Sequence, residues 1–167
     1  MNKEMLINEV AQALEEMQHP TERMEGQPGL QWFMALSEDY QQDYAVGEMF
    51  FASDLAGEEL NGVEVVQTNV VFRREIDPER IDALRSFFSR VNRRLTGGRF
   101  DAQQEDTCFA EYGHDLILPI DIANDQASHA VLTALELMAA YISFVYEGVV
   151  GIAQGEMTVE QALETLN

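Results

Sequence analysis

Residues 77 to 100 constrain the fold of this chain most, because they contain the start, the apolar face and the end of one helix. Asp77 can cap the first turn, and Pro78 fits there because its missing N–H would have no partner in a helix. The apolar side chains that follow lie within an arc of about 120°, which is typical of a helix packed on a sheet. They are Ile81, Leu84, Phe87, Phe88, Val91 and Leu95.

The arginines of this region account for most of the positive charge of an acidic chain. Eight of the ten cationic side chains lie within residues 73 to 99, where four acidic ones oppose them, although the whole chain has a formal net charge of −20. Arg90, Arg93 and Arg94 occupy the last turns of the helix, where free carbonyl groups favour positive charge by about 0.3–1 kcal/mol each. We expect Gly97 to take the left-handed conformation that ends the helix.

Five segments have the composition of strands. Three of them precede the helix and are separated by polar links, which suggests an antiparallel meander. They are residues 30–36, 44–52 and 63–75. A hairpin is predicted after the helix, with one strand from Arg99 and a second from about Thr107 to Leu118. DAQQED, residues 101–106, is its expected connection.

Two more helices flank these strands. Residues 3 to 17 have apolar side chains at helical spacing. A long helix begins near Gln126, with Asn124 or Asp125 as its cap, and continues into the 140s. Because this helix is apolar nearly all round, we expect it to meet a further element beyond the sheet, either the C-terminal segment or a second subunit. Its main apolar stripe is Val131, Leu135, Met138, Ile142 and Val145.

The length of the chain, 167 residues, fits one domain with a core that needs no cross-links. No repeat or long linker divides it, so we predict a single domain over residues 1–167. A short helical extension is expected at about 156–167, because Thr158 and Gln161 form a capping-box pattern.

Composition disfavours two classes of partner. Thirty acidic residues against ten basic ones would repel the phosphates from which nucleic-acid binding draws its affinity. The apolar segment from Ala130 to Ala153 is interrupted by Glu136 and Glu147, so a buried helix is expected rather than a membrane span. A single cysteine, Cys108, and the lack of an apolar signal segment before the charged start predict a cytoplasmic protein.

No motif predicts catalysis, a metal or a cofactor. His19, His114 and His129 lie on different predicted elements without the spacings of metal ligands. Glu111 and His114 are close in sequence but project to opposite faces of a strand. The glycines form no phosphate-binding loop. We therefore predict no cofactor and no metal, and a protein that is not an enzyme.

The arginine-rich region has two interpretations. In the first, its arginines balance the helix dipole and mark the solvent-exposed side of the helix. In the second, they form a basic patch that docks an acidic surface of a partner. Trp32 and Phe50 are further candidates, because adjacent aromatic pairs place one ring on each face of a sheet. The candidate partner-binding residues are Arg73, Arg74, Arg85, Arg90, Arg93, Trp32 and Phe50.

Residues 72–119 resemble the central part of YbjN-type proteins, a family of bacterial sensory transduction regulators. The similar features are a helix ending in Asn92, a short break to Gly98, Phe100 on the next strand and an apolar strand ending at Pro119. The order helix, three strands, helix, two strands, helix also resembles the type III secretion chaperone-like fold. The resemblance implies an α+β domain with helices on one face of an antiparallel sheet, and a homodimer. It implies no catalytic residue, and the extra C-terminal segment departs from the secretion chaperones.

Two functions remain open at this level. The first is a non-enzymatic regulatory protein that binds a partner polypeptide in the manner of a chaperone or adaptor. The alternative is a small-molecule module that holds an anion near Arg73, Arg74 and Arg99, or a small enzyme that uses dispersed carboxylates.

Overall fold

The computed structural model describes residues 1–26, 28–36, 43–56, 61–74, 76–105 and 107–166. The helices are α1 (Lys3–Glu16), α2 (Ala52–Ala56), α3 (Ile81–Val91), α4 (Asn124–Ala153) and α5 (Val159–Glu164). The strands are β1 (Thr21–Arg23), β2 (Gly29–Ala35), β3 (Tyr44–Phe51), β4 (Val63–Phe72), β5 (Arg99–Gln104) and β6 (Cys108–Pro119). Short 3₁₀ turns at Pro78–Arg80 and Asn92–Arg94 flank α3.

The strands form one antiparallel sheet in the order β1-β2-β3-β4-β6-β5. The first four strands are a meander. The hairpin of β5 and β6 joins it through its second strand, which pairs with β4 from Val63 opposite Pro119 to Phe72 opposite Ala110. The fold is therefore the predicted α+β class, with β5 at one edge of the sheet and β1 at the other.

The helices pack on one face of this sheet, as predicted. A single row of paired residues crosses five strands on that face, and its members are Trp32, Gly47, Val70, Tyr112 and Phe100. The four side chains of the row are buried together with the apolar residues of α1, α3 and α4. Because side chains alternate along each strand, this row assigns every strand residue to the helical face or to the opposite one.

Trp32 is a core residue, which corrects its prediction as a candidate for contact with a partner. Its side chain is fully buried and crosses from β2 over Gly47 on β3. A β-carbon on Gly47 would lie 2.0 Å from the indole ring, so the indole occupies the space that a side chain on β3 would need. The aromatic composition of the strand did not reveal on which face each ring lies.

Helix α4 buries the predicted stripe from Val131 to Val145 and continues further than predicted, to Ala153. Two glycines near its end permit close packing of the C-terminal segment. A β-carbon on Gly148 would lie 3.2 Å from Ala162 on α5, as well as 2.8 Å from Phe87 on α3, and one on Gly151 would lie 2.6 Å from Met157. The C-terminal segment therefore covers the end of α4, and its helix α5 begins at the predicted capping box of Thr158 and Gln161.

Three local predictions were wrong. The left-handed residue after α3 is Gly98, with φ of +66°, and not Gly97. Strand β5 continues to Gln104, so most of DAQQED is strand rather than connection, and its Asp106 lies outside the described residues. The N-cap of α4 is Ala123, without a capping side chain, because Asn124 instead exchanges two hydrogen bonds with the backbone of Asn2 at 2.8 and 3.1 Å.

Candidate functional site: the open face of the sheet

The face of the sheet opposite the helices is not covered by any helix of the described chain. Its side chains are the alternate residues of each strand, and they are absent from the core cluster that the helices share with the sheet. Most are half-buried, and Phe33 and Ile117 are 37% and 66% exposed. We refer to this surface as the open face.

Apolar side chains cross the open face in two rows. Phe33 on β2 lies opposite Val46 on β3, which lies opposite Val71 on β4. Phe50 on β3 lies opposite Gln67 on β4. Val65, two residues before Gln67 on the same face of β4, lies opposite Ile117 on β6. Paired side chains on neighbouring strands lie about 5 Å apart, so the side chains of each row are in reach of one another. In the first row Val46 is only 5% exposed, so Phe33 and Val71 supply its accessible apolar surface.

Carboxylates lie between and beside these strips, and neutral amides bind them. Gln31 donates a hydrogen bond to Glu48 at 2.9 Å, and Gln67 donates one to Asp115 at 3.0 Å. Gln103 donates to both Asp101 and Glu111, at 3.1 Å each. Within the described ranges, none of these four carboxylates has an ion-pair partner. Their negative charge is therefore positioned but not neutralised.

One end of the open face contains a shallow groove of about 700 Å³. Val71, Phe109 and Tyr44 supply apolar lining, while Glu48 and Arg73 supply opposite charges. Arg73 is exposed, and in the described part of the chain its side chain makes no ion pair. The groove can therefore receive an apolar group next to either charge.

The structure does not bring the five predicted arginines together. Arg73 and Arg74 are successive residues beyond β4, so they point to opposite sides, and Arg74 forms an ion pair with Asp43. The other three lie on or just after α3, on the side of the sheet away from the open face. They are Arg85, Arg90 and Arg93.

Two of the arginines on α3 have acidic neighbours on helices. Arg85 lies 3.6 Å from Asp82, and Arg90 lies 3.5 Å from Glu160 on α5. Of the candidate residues, only Phe50 and Arg73 lie on the open face.

The alternative anion site also fails to assemble among the described residues. Arg74 is held by Asp43. Arg99 on β5 lies opposite Gly113 of β6, whereas Phe72, the residue before Arg73, lies opposite Ala110 of β6. Ala110 and Gly113 are three residues apart along β6. That separation is about 10 Å along the strand. The three arginines therefore do not converge on one ligand.

Most of the residues that define the open face were not predicted from the sequence. The signal was present in the third strand run, because Val63, Val65 and Val71 are apolar at positions that a half-solvated strand would fill with polar side chains. Apolar residues on both faces of one strand indicate that each face packs against another element or against a partner. Only the register shows that Phe33 and Ile117 extend this surface to neighbouring strands.

The buried titratable groups lie away from the open face. Burial raises the pKa of Tyr112 to about 12, and it raises the pKa of Tyr146, whose hydroxyl lies near Asp43, to about 12. Burial also lowers the pKa of His19. Over the ranges that the structure describes, no three His, Cys, Asp or Glu residues are grouped closely enough to hold a metal ion. Glu111 and His114 lie on opposite faces of β6, as the sequence predicted.

One helix of the described chain, α4, is long and apolar enough to cross a membrane by length and composition. In its most apolar window, 44% of the residues are buried inside the fold. The buried stripe of α4 packs against the same core as the sheet, and this arrangement is that of a core helix with one side left uncovered.

Comparisons with known proteins agree with this fold. The model of the family YbjN, described as "Putative bacterial sensory transduction regulator", matches residues 56–147, from the end of α2 into α4. The crystal structure of YbjN from E. coli, described as a "putative transcription regulator", aligns with a TM-score of 0.51 and 12% identity, over 84% of this chain and 90% of that one. At that identity the likeness concerns the fold alone. No curated protein matches the sequence significantly. Because the family match spans more than half of its residues, this chain belongs to the YbjN family.

Proposed function

We propose that this protein is a non-enzymatic regulatory protein that acts by binding a partner polypeptide on the open face of its sheet. The observation that carries the proposal is the combination of two apolar strips with carboxylates that form no ion pair within the described part of the chain. Membership of a family of regulators supports a role in signalling or regulation rather than in catalysis.

The charge of the open face indicates the chemistry of the partner. Glu48, Asp101, Glu111 and Asp115 lie there against two cations, Arg73 and Arg99. A segment with large apolar side chains and intervening lysine or arginine residues would cover the strips and pair with the carboxylates. The formal net charge of −20 would also accelerate its association.

The open face is large enough for a specific complex. Six strands at about 4.8 Å spacing and ten residues of β4 at about 3.3 Å span roughly 25 by 33 Å. The resulting area of about 800 Å² equals one partner's share of a standard protein interface. A partner that lay across the meander could therefore bury enough surface to bind stably.

The test measures binding of defined peptides to the full chain by fluorescence anisotropy. The probe is a twelve-residue peptide that alternates leucine and lysine, and the two controls alternate serine with lysine and leucine with glutamate. We expect the leucine–lysine peptide alone to bind tightly, because the serine–lysine peptide has the same charge but no apolar side chains.

Two matched variants locate the site. Phe33→Ser removes an exposed aromatic ring from the open face, whereas Phe144→Ser removes one from α4, on the other side of the molecule. Phe33→Ser should weaken peptide binding about tenfold or more, as expected for loss of an aromatic interface contact, and Phe144→Ser should leave it unchanged. Equal binding of the leucine–lysine and serine–lysine peptides, or no effect of Phe33→Ser, would overturn the proposal.

A further inference from the structure

The two edges of the sheet differ in whether their outward backbone groups are hydrogen-bonded. At the β5 edge, the side chain of Asn92 bonds to both the N–H and the C=O of Phe100, at 2.8 Å each. Two residues further on, the Nε of Arg85 donates to the C=O of Ala102 at 3.0 Å, and the N–H of Ala102 donates to Asp101 at 2.8 Å. Side chains therefore close the middle of this edge against a further strand.

The opposite edge, at β1, is open in the described part of the chain. Phe33 on β2 donates its N–H to the C=O of Pro20 at 3.0 Å, which marks one hydrogen-bonded position of the pair. Because such positions alternate along an antiparallel pair, Thr21 and Arg23 direct their N–H and C=O groups away from β2. Among the described residues, no group bonds to these two donors and two acceptors. The edge can therefore pair with an added strand.

Carboxylates line both sides of the β1 edge. The hydroxyl of Thr21 donates to Glu15 at 2.8 Å and Arg23 donates to Glu4 at 3.3 Å, so the polar side of α1 runs along this edge. Glu4 and Glu15 are exposed, and Glu22 is exposed on the other side of β1. Against these three carboxylates the group contains one cation, Arg23. The charge of the edge is therefore complementary to a basic segment.

We propose that an extended, basic segment of a partner polypeptide pairs antiparallel with β1 and becomes the seventh strand of the sheet. Antiparallel pairing continues the pattern of the other strands and is the more stable per residue. One set of alternate residues of this segment lies beside Glu4 and Glu15 of α1 and carries lysine or arginine. The set between them lies on the side of the open face, where an apolar residue fits beside Pro20 and extends the row of Phe33. The inference rests on the proposed function for the partner being a polypeptide.

A second copy of this chain would be a poor occupant of the same edge. Pairing of β1 with β1 would bring the carboxylates of both copies together, and like charges on paired strands are destabilising. The strand is also only three residues long, from Thr21 to Arg23, so it gives another folded sheet little to pair with. An extended basic segment adds its side-chain contacts on both sides of the edge to these few backbone bonds.

Backbone methylation of the twelve-residue leucine–lysine peptide tests the pairing with the full chain by fluorescence anisotropy. In an antiparallel pair, the residues opposite Thr21 and Arg23 bond to them through N–H and C=O, and the proposal makes those residues lysines. Methyl groups on the lysine backbone nitrogens remove these donors and leave every side chain unchanged. Methyl groups on the leucine backbone nitrogens point away from β1. We expect the lysine-methylated peptide to bind about tenfold or more weakly than the leucine-methylated one.

Two matched variants test the same bonds from the side of the protein. Thr21→Pro and Thr21→Val both lose the hydroxyl that bonds to Glu15, but only proline removes the outward N–H, and it can occupy such a position on an edge strand. Thr21→Pro should weaken binding of the unmethylated peptide several-fold relative to Thr21→Val, and urea unfolding checks that both variants fold. Glu15→Gln should weaken binding about two- to fivefold, whereas Glu147→Gln, on α4, should leave it unchanged.

Equal binding of the two methylated peptides, or a loss confined to the leucine-methylated one, would overturn the proposal, and this comparison needs no variant of the protein. Phe33→Ser, measured in parallel, keeps this failure distinct from failure of the proposed function. If Phe33→Ser weakens binding while the two methylated peptides bind alike, the open face binds the peptide without pairing at β1. If methylation of the lysines alone weakens binding while Phe33→Ser has no effect, the edge binds the peptide and the open face does not.

Discussion

The ring of Tyr112 lies directly against Gly98, so closely that a β-carbon on Gly98 would lie 2.1 Å from the phenolic oxygen. The same hydroxyl donates a hydrogen bond to the carbonyl oxygen of Gly97 at 3.0 Å. The turn between α3 and β5 is thus shaped by a residue of β6, about fifteen positions later in the chain, and the two adjacent glycines have different roles.

Gly98→Ala should destabilise the protein by about 2–4 kcal/mol, because it combines a left-handed backbone with a collision in the core. Gly97→Ala is the matched control. Its φ is not positive, and its nearest neighbour, His114, would lie at an ordinary 3.4 Å from the new methyl group. Its effect should be within about 1 kcal/mol. Urea unfolding of both variants measures the difference, and equal stabilities would contradict this account of the turn.

The side chain of Asn92 hydrogen-bonds to the backbone of the edge strand β5, as a neighbouring strand would. Its side-chain amide donates to the carbonyl oxygen of Phe100 at 2.8 Å and accepts from the N–H of Phe100 at 2.8 Å. Asn92→Asp keeps the acceptor but loses the donor, so we expect a loss of about 1–3 kcal/mol near neutral pH. Protonation of the new carboxylate would restore a donor, so the deficit relative to the unmodified protein should narrow in acid. A deficit that is constant from pH 7 to pH 4 would argue against this role.

Glu64 is a buried carboxylate on β4 whose charge is stabilised by its neighbours. Burial opposes its ionisation, but hydrogen bonds from Ser53 and Lys3, with Lys3 at 3.1 Å, hold the pKa of Glu64 below its ordinary value. A lowered pKa in the folded state contributes stability above the pKa of the unfolded chain, about 4.3. That contribution is lost as the pH falls through the lower, folded value.

Glu64→Gln should therefore lower the free energy of unfolding at pH 7 by about 1–3 kcal/mol and flatten its decline in acid. Ser53→Ala keeps the carboxylate but removes one donor, so it should cause a smaller loss over the same pH range. Chemical unfolding at a series of pH values measures both effects. An acid decline of the same steepness in Glu64→Gln would show that other carboxylates cause it.

Substitutions of Gly47 and Trp32 should have non-additive effects on the free energy of unfolding. Gly47→Ala places a methyl group 2.0 Å from the indole, so it should cost about 1–3 kcal/mol. In the double variant Gly47→Ala with Trp32→Leu, the second change should cost less than it does alone, because the smaller side chain leaves room for the methyl group. Gly113→Ala, on the open face, is the control, because it meets only the Asn69 side chain at 3.2 Å. Additive effects of the first two changes would contradict the contact.

Local patterns predicted the elements well. The spacing from Ile81 to Val91, the alternation in β4 and the capping box at Thr158 each depend on neighbours within a few residues, and each is confirmed. The short strand β1 and the helix α2 were not predicted. Strand β1 has three residues of turn-like composition, and α2 is a single short turn whose serine hydrogen-bonds to Glu64 on β4. Such elements form because distant neighbours accept their hydrogen bonds.

The candidate site was less predictable than the fold. Arg73 and Phe50 lie on the open face. Arg74 instead forms an ion pair with Asp43, and Trp32 is buried in the core. Composition alone could not separate these cases, because adjacent residues of the same type face opposite sides of a strand.

The amino-acid sequence by itself determined the order and approximate extent of the longer helices and strands, since these depend on backbone preference and on the period of apolar side chains. Only the tertiary structure decided that Val71, Phe33 and Ile117 share one uncovered surface, because that depends on which strands pair and in which register.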